Sequence, residues 1–287
     1  MAEYDTVAIV GVGLIGGSIG LALRERKLAR NIVGVGRRQV SLDAARKVGA
    51  IDHGVTNLAA GVAQAQLVIV CTPVDTIAER VIQSAAACPP GALVTDAGST
   101  KETIVSTVDA GLANRRSGPR FVGSHPLAGD HRTGAEHARS DLFDARTVVI
   151  TPTNLTRPAA VTEISGFWES LGANVTQMTP AAHDAALAMT SHLPHLLATA
   201  LAAATPHDLL PLAASGWRDT TRVAGGDAKL WQPIFAANRQ HVLEALERLT
   251  ITLDEIRETL EHGDYEKLAW ILELGAKTKR DRDALGD

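Results

Sequence analysis

The stretch from residue 6 to residue 28 constrains the fold of this chain more than any other. Thr6-Val7-Ala8-Ile9-Val10 reads as a short buried strand, Gly11-Val12-Gly13-Leu14-Ile15-Gly16 follows at once, and a helical pattern runs on through Leu28. A glycine-rich turn alone is common. Between a strand and a helix each glycine has its own use. Gly11 permits the tight turn, Gly13 allows close approach to a pyrophosphate, and Gly16 allows close helix–strand packing. The free N–H groups at the helix start, around Leu14 and Ile15, would face the phosphates.

The same alternation continues along the chain. A second strand, 31–35, ends at Gly36-Arg37-Arg38, and a helix containing Ala44, Ala45 and Val48 follows. The apolar run 67–71 is stopped by Thr72-Pro73, a helix spans about 75–87, and strand patterns recur at 92–96, 120–123, 147–150 and 174–178. This predicts an α/β fold whose N-terminal part is a Rossmann-type, doubly wound, mainly parallel sheet. From Pro180 onward only helical patterns are visible. With 287 residues to house, two domains are expected: 1–178 for dinucleotide binding, and 179–287 as an all-helical unit. Within 236–262, Val242, Leu246, Leu249, Leu253, Ile256 and Leu260 form a narrow apolar stripe suited to a partner helix, inside a bundle or across a subunit contact.

A formal charge of −4 gives no broad attraction to nucleic acid or anionic lipid, so an anionic ligand must be caught by a few placed cations. The apolar stretch 181–204 is interrupted by His183, Asp184, His192, Pro194 and His195, which argues against a membrane span. Cys71 and Cys88 lack metal-type spacing and fit a reduced, cytoplasmic setting, and a strand that begins at once argues against a signal peptide.

The end of the second strand bears on cofactor choice. NAD sites usually place an acidic residue there for the ribose 2′-hydroxyl; here Gly36 leaves room, and Arg37 and Arg38 can pair with a 2′-phosphate. The plainer reading makes both arginines solvated loop charges. The expectation is NADP, with NAD as the alternative, and Thr72 and Pro73 join the cofactor contacts from the neighbouring strand end.

His125, on a loop after the strand at 120–123, sits where ligands gather in open α/β sheets and can act as a base titrating near ~6.5. Ser99 lies on a similar loop and could orient that imidazole or bond the same substrate oxygen. Singly, each has a bland reading: a loop histidine, and a helix N-cap. The scattered His131, His137, His192 and His195 lack a coherent carboxylate or cysteine set, so no metal is expected.

In order along the chain, Gly11–Gly16, Thr95-Asp96, Ser99, Lys101, His125-Pro126, Ala128-Gly129, Thr151-Pro152-Thr153, Ser191-His192-Leu193-Pro194, Asp219, Arg222 and Trp231 resemble the prephenate/arogenate dehydrogenases of tyrosine biosynthesis. The resemblance implies that His125 accepts the ring hydroxyl proton, assisted by Ser99. It further implies that a buried Arg222 binds a substrate carboxylate, and that His195, with Ser191 and Trp231, lines the substrate side. A helical C-terminal dimerisation domain and a homodimer are implied too. Two features depart from a simple match: Asp130-His131 stands where some relatives carry a gating acid one position later, and His195 leans towards prephenate while Arg37 and Arg38 lean towards arogenate. The expected activity is NADP-preferring oxidative decarboxylation of prephenate to 4-hydroxyphenylpyruvate. Alternatives are an arogenate or dual-specificity dehydrogenase, a β-hydroxyacid dehydrogenase using Lys229, and a catalytically silent nucleotide-binding protein.

Overall fold

The computed structural model describes residues 3–113, 120–130 and 132–284. Its first part interleaves β1 (Tyr4–Val10), α1 (Leu14–Glu25), β2 (Ala29–Val35), α2 (Gln39–Lys47), β3 (His53–Val55), α3 (Leu58–Val62), β4 (Leu67–Val70), α4 (Val74–Ala87), β5 (Leu93–Asp96) and α5 (Glu102–Leu112). Then come β6 (Arg120–Pro126), β7 (Thr147–Thr151), α6 (Pro158–Ser170) and β8 (Asn174–Gln177). One sheet results, in the order β3-β2-β1-β4-β5-β6-β7-β8, parallel except for the antiparallel β6–β7 pair. The order reverses between β1 and β4, which opens a crevice beyond their C-terminal ends.

The period of two in β1 explains why the sheet is covered on both sides. Val7 and Ile9 pack with Phe167 and Trp168 of α6, whereas Ala8 and Val10 join Val81 of α4 and Val105 of α5 on the opposite face. β3 escaped the sequence reading because three residues, His-Gly-Val, carry no apolar run.

Beyond β8 the described residues hold no strand. They form α7 (Pro180–Leu187), a π-helical turn (Ala188–His192), α8 (Leu193–Ala204), α9 (Ser215–Thr221), α10 (Ala228–Ala237), α11 (Arg239–His262) and α12 (Tyr265–Asp283), with short 3-10 segments between. Among the described residues the first half of α11 packs within the chain: Val242 and Ala245 are buried with Ala188 and Leu193, and Leu249 packs against them. Leu253 and Leu260 are half exposed, as is Trp270 on α12, leaving an apolar face on this part of the single chain. Among the described residues no helix is long and apolar enough to cross a membrane.

Candidate active site

The cofactor edge is a cradle of backbone. Gly11 has φ +97°, and a Cβ there would lie 2.6 Å from the Cys71 carbonyl oxygen at the end of β4. A Cβ on Gly16 would run into the Gly11 carbonyl oxygen and Ile9, so α1 can meet β1 this closely only without a side chain. Gly13 caps α1 without a side-chain cap bond, and nothing among the described residues lies within 4 Å of where its Cβ would be. Leu14 and Ile15, both half-buried, open the helix. These features fit a pyrophosphate at the α1 N-terminus. Beside them Pro73 caps α4, and the Thr76 hydroxyl donates to Thr72 Oγ1 at 3.0 Å. Across the crevice Arg37 and Arg38 are exposed, and neither forms an ion pair among the described residues.

His125 is not on a loop. Antiparallel pairing with β7, where it opposes Val149, extends β6 through Pro126. Its neighbour Ser124 is locked from several directions. The Ser124 N–H donates to Asp96 Oδ1 at 3.1 Å, its hydroxyl donates to the Asp96 carbonyl at 2.7 Å, and Trp168 Nε1 donates to that hydroxyl at 3.0 Å. Lys101 Nζ is paired with the Asp96 carboxylate and donates to the Ser124 carbonyl at 2.9 Å. Lys101 and Asp96 are fully buried, and burial pulls the lysine pKa down against the attraction of Asp96. This network fixes the backbone that presents the imidazole.

The ring itself leans on the helical part. His125 Nδ1 lies 2.9 Å from His183 Nε2, and His183 Nδ1 lies 2.7 Å from Asp184 Oδ1. Asp184 also accepts the Lys101 and Glu102 N–H groups at 2.7 and 2.9 Å, at the start of α5. Burial works to raise the Asp184 pKa, but His183 and the two N–H groups hold it below the usual carboxylate range. Burial, then the neighbouring His183, Lys101 and His192, push His125 well below the ordinary histidine value. The expected titration near ~6.5 is therefore corrected downward: the ring is neutral throughout the physiological range. With Nδ1 engaged, Nε2 is the nitrogen available to a ligand. Among the described residues no hydrogen bond joins the half-buried Ser99 to His125.

The chain just before Pro194, Ala188–His192, forms a π-turn for a covalent reason. Pro194 has no N–H for the Thr190 carbonyl, and the ladder slips so that the Leu193 N–H meets the Ala188 carbonyl. His192 is buried and its Nδ1 accepts from Asn238 Nδ2 at 3.0 Å, while that amide also donates to the Asp184 carbonyl at 2.8 Å. His195 stacks on Trp231 with centroids 3.8 Å apart at 14°, and its Nδ1 is buried without a partner. Gly226 makes room for this stack, since a Cβ there would come 2.8 Å from His195 Cε1. Ser191 is half-buried in the π-turn.

Arg222 corrects an expectation. It opens the 3-10 segment Arg222–Gly225 packed on α8, but it is exposed in the single chain. Asp130 pairs with Arg132 at 2.6 Å, and His131 lies outside the described residues. Sequence reasoning missed the roles of His183 and Asp184, taking them only as polar breaks in an apolar stretch. An adjacent ionisable pair in an alanine- and leucine-rich segment was the available signal. Among the described residues no group of three or more His, Cys, Asp or Glu side chains could hold a metal ion.

Residues 19–177 match the family model "prephenate dehydrogenase, nucleotide-binding domain", and residues 179–274 match "prephenate dehydrogenase, dimerization domain". The Bacillus subtilis prephenate dehydrogenase is 34% identical over 271 residues, 92% of this chain and 72% of the relative. A solved structure of A. aeolicus prephenate dehydrogenase, in complex with hydroxyphenyl propionate and NAD+, superimposes with a TM-score of 0.88. It is 32% identical, over 97% of this chain and 98% of the other. Synechocystis arogenate dehydrogenase superimposes with a TM-score of 0.81 at 30% identity, over 98% and 99% of the two chains.

Proposed function

The chain belongs to the prephenate dehydrogenase family, and on that footing we propose that it oxidatively decarboxylates prephenate to 4-hydroxyphenylpyruvate, with NADP+ as the preferred acceptor. The observation that carries the reading is His125: a neutral imidazole at the C-terminal edge of the sheet, its Nδ1 occupied and its Nε2 available. A base in that state takes the proton of the substrate's ring hydroxyl at Nε2. A nicotinamide dinucleotide, its pyrophosphate held at the Gly11–Gly16 turn beside Leu14, Ile15, Thr72 and Pro73, would supply the acceptor for the hydride of the same carbon. Loss of CO2 leaves an aromatic ring, so what remains for the protein is alignment.

Ser99 assists at the hydroxyl. Arg222 takes a substrate carboxylate in a two-point bond, which an exposed guanidinium with no ion pair among the described residues is free to make. His195 lines the substrate side, with Trp231 stacked on it as the wall behind and Ser191 alongside. Arg37 and Arg38 hold the 2′-phosphate, supported by their exposure and by the lack of an acidic residue at Gly36. The chain divides into a nucleotide-binding domain, 1–178, and a helical substrate and dimerisation domain, 179–287. A homodimer forms through the exposed leucines of α11 and α12, in the reducing cytoplasm that the two cysteines suit.

Initial rates with prephenate and with arogenate, each with NAD+ and NADP+, test this reading. The expected order has prephenate with NADP+ first. Faster turnover of arogenate moves the chain to arogenate dehydrogenase, and nucleotide binding without turnover overturns the enzymatic reading.

A further inference from the structure

We propose that His183 and Asp184 form a positioning relay that fixes which nitrogen of His125 faces the substrate, complete only when α7 is seated on the start of α5. The inference rests on the reading of His125 as the base and deepens it.

The direction of every hydrogen bond follows from an ionised Asp184 beside a neutral His183, the state the proposal assigns to it. An ionised carboxylate can only accept, and this one already takes the N–H groups of Lys101 and Glu102. The proton between it and His183 therefore sits on His183 Nδ1. A neutral imidazole has a single N–H, so His183 Nε2 carries a lone pair. The contact of 2.9 Å to His125 then needs a proton on His125 Nδ1, which leaves Nε2 as the lone pair for a substrate hydroxyl. His183 and Asp184 are buried at 0% and 1% exposure, which shields the chain from competing water.

Other charged or titratable groups face the same rings: Lys101 from the β5–α5 loop, paired with Asp96 at the end of β5, and His192 from the π-turn. None can replace the relay, because Lys101 is held by Asp96 and His192 Nδ1 by Asn238. When His125 takes a proton on Nε2, its Nδ1–H already points at an acceptor backed by a carboxylate. The proton on Nδ1 need not move. His125 comes from the sheet, His183 and Asp184 from α7, and the N–H groups that anchor Asp184 return to α5. The base is thus assembled from both parts of the molecule.

The test uses the full chain with 15N-labelled histidine. Imidazole 15N–1H spectra at neutral pH are expected to show His125 and His183 each protonated at Nδ1 alone. A wild-type His125 protonated at Nε2 overturns the proposal. His183→Leu removes the acceptor and is expected to lower kcat by about 10²-fold, the lower range of a general-base contribution, with KM and NADP+ affinity unchanged. His183→Gln, whose amide oxygen can accept the same bond, is expected to recover much of that loss. Wild-type kcat in His183→Leu, or equal losses in the two variants, overturns the relay. A wild type that turns over neither prephenate nor arogenate defeats the proposed function instead, while the ring-proton assignment, which needs no turnover, still decides the relay.

Discussion

Acid should loosen this protein through histidines that the fold keeps neutral, and His192 allows the size of the effect to be worked out. It is 1% exposed, its Nδ1 accepts from Asn238, and its ring meets Trp231 and Phe235 edge-on at 6.1 and 6.2 Å. Burial, partly offset by Asp184, lowers its pKa to about 4. The folded pKa lies below the unfolded one, so the unfolded chain binds the proton first. Stability is therefore full above about pH 6.5 and falls as the pH drops towards about 4. His192 alone accounts for about 3 kcal/mol over that window, a large share of the roughly 5–15 kcal/mol typical of a folded protein. His125 and His195 are shifted the same way and add to the slope. The assay is urea unfolding between about pH 4 and 7.5 for wild type and His192→Asn, whose amide oxygen can keep the bond to Asn238. The variant should start less stable at about pH 7 but lose less on acidification, its slope smaller by about 1.4 kcal/mol per pH unit. Equal slopes would refute a buried neutral His192.

Three further expectations follow from the site. With hydride transfer rate-limiting, kcat should stay flat through about pH 6.5 and fall only well below it, because His125 is already neutral there; an inflection near ~6.5 in a pH–rate profile contradicts its environment. Replacing Arg37 and Arg38 together by Ala should weaken NADP+ binding, measured by titration, more than NAD+ binding, and equal losses would remove the 2′-phosphate assignment. Lys101→Met should cost about 3–5 kcal/mol in urea unfolding, because it strands the Asp96 carboxylate in a dry site; a cost below about 1 kcal/mol would show that water reaches it.

How much could be read from the sequence depended on whether the signal was local. The β1–turn–α1 unit was legible because burial, turn and helix start are all written within residues 6–28. The strands buried on both faces announced themselves as apolar runs. β3 did not, since a three-residue edge strand holding His53 and Gly54 has no pattern of its own. The extension of β6 to include His125 was invisible for another reason: it depends on pairing with β7, more than twenty residues away. Contacts at long range also hid the His183–Asp184 pair, whose partners are His125 and the start of α5. Arg222 shows the opposite error, because its chemistry suggested burial whereas the short 3-10 turn after α9 leaves it exposed.

The central claim is that this site couples removal of a ring-hydroxyl proton by His125 to oxidation and loss of CO2. Mixing the enzyme with NADP+ and prephenate, while following NADPH absorbance and released CO2 together, tests it most directly. The account predicts the two in equal amounts for the wild type, and a rate lower by roughly 10²–10⁴-fold in His125→Asn with NADP+ affinity retained. NADPH formed without CO2, or a wild-type rate in His125→Asn, would contradict it.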